Sequence, residues 1–328
     1  MKRNIYVGPF KKHLQSYIEL KRAVGYKYDT DAQHLKRFDR FTLEKYPNAR
    51  TLTKTMVLEW CSKKAYEAQA NQLSRASIIR QFGKYLDSIG IKAYISPRRY
   101  FPSKKKYIPY IYSVEELARF FAETDKCQYC CECPYRHLIM PIIFRVIYTC
   151  GLRLSEARLL KVADVDLENG VLTIHQSKKD KSRLVPMSDP LKERCRAFSK
   201  KVHSCSVGDH YYFLGLKGNP MTIGNVYKNF RRFLWQAKIS HCGKGYGPRI
   251  YDFRHTYAVH CLKKWTEQEK DLTAYLPVLK TYMGHDSFTE TAYYLHLTVD
   301  MFPDITGKLE LRYPGVIPEL EGGADETY

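Results

Sequence analysis

The sequence predicts a mainly α-helical protein with one small β-hairpin, organised as an N-terminal helical domain followed by an α+β domain. Three observations predict it. The chain has 328 residues, more than one compact core usually holds. Apolar residues recur at helical spacing through most of it, and only VLTIHQ, followed by the polar SKKDKS and the apolar RLVPM, alternates in period two around a turn. The charge is unevenly placed: of a net +20, residues 1–110 carry 24 Lys and Arg against 8 Asp and Glu, whereas residues 111–328 carry 30 against 26.

Residues 1–95 read as the first domain. FKKHLQSYIELKRAV, TDAQHLKRFDRFTLEKY and the segment from Thr53 to Ile89 are amphipathic, and Thr53 and Ser74 are candidate helix starts. Residues 96–112, within ISPRRYFPSKKKYIPYIYS, hold prolines and basic residues without helical period, as an extended linker does. Ser113 with Glu116 three positions on forms a capping signal that opens the second domain, 113–313. Helices are expected there at about 113–124, 136–149, 189–203, 221–239, 251–265 and 270–283, with a short helix in GLRLSEARLLKVADVD and another in GHDSFTETAYYLH. The tail, 314–328, is acidic and lacks helical period.

The basic excess points to a polyanion, and because it is interleaved with apolar residues at helical spacing it belongs to a folded domain. Duplex DNA is the leading candidate. No recognisable RNA-binding module is present. No membrane partner is expected: LIMPIIFRVIYTC is cut by Pro141 and Arg145 and is too short to span, and the first residues lack a signal-peptide core. Ten cysteines without such a signal suggest reduced thiols and a cytoplasmic, nucleoid-associated protein. CQYCCECPYRH offers Cys127, Cys130, Cys133 and His137 either as a compressed zinc site or as a loop of free thiols.

Four segments carry candidate chemistry. TCGLRLSEA sets Arg153 in a glycine-preceded turn at a helix start, with Glu156 near enough to brace it. SKKDKSRLVP puts lysines at a hairpin tip. RIYDFRHTYAVH places Arg254 and His255 inside an apolar helical pattern. A buried guanidinium needs several acceptors, and Asp252 is too close in sequence to face it, so acceptors must come from elsewhere. GHDSFTETAYYLH sets Tyr293 and Tyr294 between two histidines, a pair that taken alone reads as packing.

Together, and in this order, the four segments closely resemble the catalytic domain of the tyrosine recombinase (phage integrase) family, with the resemblance extending from about residue 10 to 305. It implies that Arg153 matches the Arg of a T-G-L-R-x-S-E box, and that SKKDKSRLVP matches G-K-G-x-K-x-R-x-V-P. Lys178 then stands at the catalytic lysine and Lys181 at the second lysine. Arg254 matches the Arg of an H-x-x-R box, His285 the His of L-G-H, and Tyr294, nine residues after His285, the nucleophile. Tyr251 stands where that box usually has histidine; a phenol can donate a hydrogen bond but is a poor base at neutral pH.

The resemblance further implies strand cleavage and rejoining through a 3′-phosphotyrosine, with no ATP, metal or other cofactor. Arg153 and Arg254 would clamp the phosphate, Lys178 would act as general acid, His285 and Tyr251 would hydrogen-bond the phosphate, and Glu156 and Asp252 would brace the site. It implies a C-shaped clamp on duplex DNA at specific sites, a tetramer on paired sites, and accessory recombination proteins. Arg75, Arg80 and Lys84 are expected on the groove side of the first domain, and Arg98, Arg99, Lys104, Lys105 and Lys106 on the linker across the duplex. A type IB topoisomerase and a non-catalytic DNA-binding regulator are the alternative readings.

Overall fold

The computed structural model describes residues 5–101, 107–175, 182–204, 208–243 and 247–297. Its contacts divide the chain into two units, Met1–Tyr107 and Ile108–Tyr328.

The first unit is four helices, α1 (Lys11–Ala23), α2 (Asp29–Lys45), α3 (Lys54–Cys61) and α4 (Gln69–Ser88). Their apolar stripes meet in a core containing Phe10, Leu14, Phe38, Trp60 and Phe82, with α4 against the other three. Thr53 caps α3 as its sequence suggests, its Oγ1 accepting from the Met56 amide at 3.3 Å. Ser74 does not start a helix. The side-chain amide of Gln72 donates to the Cys61 carbonyl at 3.0 Å, docking an earlier turn, so α4 begins at Gln69 and Ser74 lies within it.

The same packing corrects one expected DNA contact. Arg75 is 4% exposed and faces inward, donating to the Trp60 and Ser62 carbonyls and pairing with Glu67. Its guanidinium also lies over the Trp60 ring, 5.3 Å from the centroid. A guanidinium so committed closes the loop between α3 and α4 and is not available to a groove. Arg80 is half-buried and donates to the Ser96 carbonyl at 2.7 Å and the Pro97 carbonyl at 3.3 Å, tying the end of its unit back onto α4. Lys84 and Arg98 are exposed. The Arg99 side chain and all of Lys104, Lys105 and Lys106 lie outside the described residues.

In the second unit, α5 (Val114–Asp125) opens with a reciprocal capping box, the Ser113 hydroxyl accepting from the Glu116 amide at 3.2 Å and Glu116 accepting from the Ser113 amide at 3.0 Å. Helix α6 (Arg136–Thr149) is buried along Ile139–Phe144, and Pro141 is accommodated inside it. With α9 (Ile223–Gln236) and α10 (Asp252–Glu267), α5 and α6 enclose an aromatic core of Phe120, Phe144, Phe230, Phe233 and Phe253. Helix α8 (Asp189–Val202) packs on α6.

Between the short α7 (Leu154–Arg158) and α8 runs an antiparallel sheet, β1 (Val165–Asp166), β2 (Val171–His175) and β3 (Ser182–Pro186), in the order β1-β2-β3. The hairpin register pairs Val171 with Pro186 and His175 with Ser182. A second cluster, Val259, Leu262, Leu276, Leu279, Met283 and Tyr294, joins α10 to α11 (Leu272–Met283) and α12 (Phe288–Ala292), which tightens into a 3-10 turn at Tyr293–Leu297. Among the described residues no helix is long and apolar enough to cross a membrane.

Among the described residues no three His, Cys, Asp or Glu side chains converge, those of Cys127, Cys130, Cys133 and His137 included. Cys127 is half-buried with its Sγ accepting from Arg232 at 3.4 Å. His137, at the start of α6, sits edge-on to Tyr129 with ring centroids 5.5 Å apart. The thiol thus lies against a guanidinium. The expected acidic tail lies outside the described residues.

Candidate active site

Two glycines set the backbone of the site. Gly151 ends the turn after α6 at φ +58, and a Cβ there would lie 2.7 Å from the Tyr257 ring. Gly284 caps α11 at φ 64 in the left-handed region, turning the chain so that His285 points back inward. Both turns present carbonyls to arginines. Arg254, in the first turn of α10 and 0% exposed, donates from Nη1 to the Gly151 carbonyl and from Nη2 to the Met283 carbonyl, each at 2.6 Å. Arg153, which begins α7, donates from Nη2 to the Gly284 carbonyl at 3.2 Å. The acceptors that Arg254 requires therefore come from the two flanking boxes, while Asp252 accepts from the Arg249 amide at 2.8 Å and secures the entry to its own helix.

Glu156 is the anionic centre. Its carboxylate accepts from the Arg153 amide and Nη1, both at 2.8 Å, and takes a two-pronged pair from Arg183 at 3.1 and 2.9 Å, with Arg254 Nη1 3.9 Å away. Burial would raise its pKa, but the Arg183 pair, followed by Arg153, holds it below the ordinary carboxylate range. Arg183 also donates from Nε to the Tyr282 carbonyl at 2.9 Å, so it joins β3, α7 and α11. Sequence reasoning left Arg183 without a role, although it is the Arg of the hairpin pattern itself.

Tyr294 is 2% exposed, between His285 (centroids 5.9 Å, 23°) and His255 (5.5 Å, 56°). Burial lifts its phenol above the usual range against the opposing pull of the Arg254 guanidinium. Tyr293 is only partly buried, its ring 6.3 Å from that of Tyr294. His285 is buried, and its Nδ1 is 2.8 Å from the Thr291 hydroxyl. Burial first, and then the guanidinium groups of Arg254 and Arg153, bring its pKa down to about 3; burial and Arg254 bring His255 to about 4. Tyr251 is 40% exposed, stacks edge-on upon His255 at 4.8 Å, and lies near enough to Arg153 to help hold that guanidinium charged.

A cavity of about 660 Å³ opens beside Arg153 and Glu156, with Thr173 and His175 of β2 on one wall and Gly284 and Asp286 on another. Lys178 and Lys181 lie outside the described residues. The described ends of their segment, His175 and Ser182, are paired across the hairpin, and His175 lines this cavity. A second cavity of about 890 Å³ is lined by Lys228 and Arg231 of α9 together with Arg249. Sequence reasoning missed this cluster, and its signal was the helical spacing of Lys228 and Arg231 in VYKNFRRF.

Residues 114–301 match the family described as the phage integrase family. A putative integrase/recombinase, y4rB, of Sinorhizobium fredii is 30% identical over 94% of this chain and 99% of its own length. A tyrosine recombinase XerC of Halalkalibacterium halodurans is 32% identical over 50% of this chain and 52% of its own. Among solved structures, XerH recombinase bound to a palindromic difH substrate superposes with a TM-score of 0.63 at 19% identity, covering 86% of this chain and 79% of that one. The Tn1549 transposon integrase in complex with a circular intermediate DNA gives 0.65 at 16%, covering 90% and 99%. At these identities the superpositions establish the fold alone, whereas the family match spans more than half of the chain and the y4rB relative nearly all of it. The chain belongs to the phage integrase family and is a tyrosine-type site-specific DNA recombinase.

Proposed function

We propose that Tyr294 attacks a scissile phosphodiester in duplex DNA. Its Oη bonds to phosphorus and gives up its proton to water as the bond to the 5′ oxygen breaks, leaving a 3′-phosphotyrosine that a DNA 5′ hydroxyl can reverse. Arg153 and Arg254 stabilise charge on the non-bridging oxygens, His285 and Tyr251 hydrogen-bond the phosphate, and Lys178 protonates the departing oxygen. Glu156 and Arg183 hold the clamp. Lys228, Arg231 and Arg249 contact the DNA backbone near the site, and Lys84, Arg98, Arg99, Lys104, Lys105, Lys106 and Lys181 contact it elsewhere. Strand exchange takes place in a tetramer on paired sites.

One observation carries this reading. A wholly buried guanidinium, Arg254, lies close enough to the buried Tyr294 to pull its phenol pKa down, while its own Nε has no partner among the described residues, a combination that calls for an anion. That the XerH and Tn1549 structures are DNA complexes supports the choice of anion. The test is covalent trapping on a labelled, nicked suicide substrate with Tyr294→Phe and Tyr293→Phe side by side. Tyr294→Phe abolishes the adduct and Tyr293→Phe retains it; the reverse pattern overturns the assignment.

A further inference from the structure

We infer that Thr291 is a positioning residue that fixes the tautomer of His285, placing the ring proton on Nε2 so that this nitrogen donates to the substrate phosphate and does not accept the Tyr294 proton. The inference rests on the recombinase reading only for what Nε2 meets.

The Thr291 side chain is fully buried, and its Oγ1 lies 2.8 Å from His285 Nδ1. A buried hydroxyl delivers its proton to some acceptor, because leaving it unpaired in the interior is costly. Several helical threonines elsewhere in the protein donate to a carbonyl three or four residues back: Thr42 to Asp39 at 2.8 Å, Thr124 to Phe121 at 2.7 Å, Thr149 to Arg145 at 2.8 Å and Thr281 to Pro277 at 3.0 Å. Thr291 makes no such bond, and Nδ1 is the one acceptor its hydroxyl has among the described residues. The hydroxyl is therefore the donor and Nδ1 the acceptor.

A neutral imidazole that accepts at Nδ1 carries its proton at Nε2. The ring is neutral at physiological pH, since burial and the Arg254 and Arg153 guanidinium groups hold its pKa near about 3. His285 Nε2 has no partner among the described residues and is not sealed in the interior, so its proton faces accessible space. The ring lies beside that of Tyr294, with centroids 5.9 Å apart and planes 23° from parallel, and a protonated Nε2 has no lone pair with which to accept the phenol's proton. His285 thus supplies a hydrogen bond to the phosphate, and Thr291, one turn before the nucleophile, sets that hydrogen bond's direction.

The experiment compares wild type with Thr291→Val, which removes the hydroxyl at nearly constant shape, and Thr291→Ser, which restores it. In DNA-free protein labelled with 15N-histidine, the His285 signals are assigned by their loss in His285→Gln. Wild type and Thr291→Ser then show a protonated Nε2 and bare Nδ1, and Thr291→Val shows a mixed population. On the suicide substrate Thr291→Val forms adduct about 10- to 100-fold more slowly, the range for losing an outer partner of a functional histidine, while Thr291→Ser stays close to wild type. A wild-type proton on Nδ1, an unchanged tautomer in Thr291→Val, or a Thr291→Ser as slow as Thr291→Val overturns the assignment. Absence of adduct in wild type would overturn the recombinase reading instead, and the spectra would still decide the tautomer.

Discussion

Replacing Glu156 by Gln tests how the arginine cluster is held together. The carboxylate is 8% exposed and accepts four N–H groups within 3.1 Å, two from Arg153 and two from Arg183, with a third guanidinium at 3.9 Å. An amide of the same shape offers one oxygen, turns an NH₂ toward donors, and leaves positive charges facing one another without an anion. Removing one partner of a buried ion pair costs about 3–5 kcal/mol. For a domain of this size each kcal/mol moves Tm by about 2–4 °C, so the variant should melt about 6–20 °C lower.

The double variant Glu156→Gln/Arg183→Met removes one of the unneutralised charges, and its cost should fall short of the sum of the two single changes by about 1–3 kcal/mol. Urea unfolding of the four proteins at one pH measures both quantities. A Glu156→Gln cost below about 1 kcal/mol, the value of an exposed pair, would refute the reasoning. So would strict additivity, which would mean that Glu156 and Arg183 do not act on each other.

Arg254→Lys should lower adduct formation by about 10²–10³-fold, as loss of one preorganised oxyanion donor does, because an ammonium cannot span the Gly151 and Met283 carbonyls and still face the phosphate; single-turnover cleavage at saturating DNA checks it. His255 and His285 titrate at about 4 and about 3 when folded. Because the unfolded chain takes up their protons first, their stabilising effect is complete above about pH 6.5 and is lost progressively as pH falls toward these values. At about pH 5.5 each should have cost the fold about 1 kcal/mol, and His285→Gln should flatten the slope of unfolding free energy against pH. Arg75→Met should destabilise the first unit yet leave the salt dependence of DNA binding unchanged, whereas Lys228→Ala with Arg231→Ala should leave stability intact and reduce the slope of log K against log salt by about 2; filter binding across a salt series separates them.

The local devices were legible because each depends on neighbours in sequence. Thr53 and Ser113 cap helices through bonds that reach three residues, and the period-two stretch paired as the hairpin it encodes. The helix start at Ser74 was misread because the true start is decided by a tertiary bond, Gln72 to the Cys61 carbonyl, which no spacing reveals. Arg75 failed for the same reason: a basic residue on an amphipathic helix reads as a solvated face until the loop carrying Glu67 folds over it. The candidate site was legible as residue identities in boxes, but not as a circuit. Nothing in GLR or SRLVP says that Arg153 and Arg183 share one carboxylate, since their approach depends on where the tertiary fold sets α7 and β3.

Arg254 and Tyr294 are placed by elements of very different length. Arg254 is locked by carbonyls from two other boxes, so its position is set by the fold of α6, α10 and α11. Tyr294 sits at the end of a five-residue helix that also carries Thr291. The phenol is buried near Arg254, and the Thr291 hydroxyl lies 2.8 Å from the His285 ring. One short segment therefore places both groups beside a guanidinium whose own position the longer helices fix.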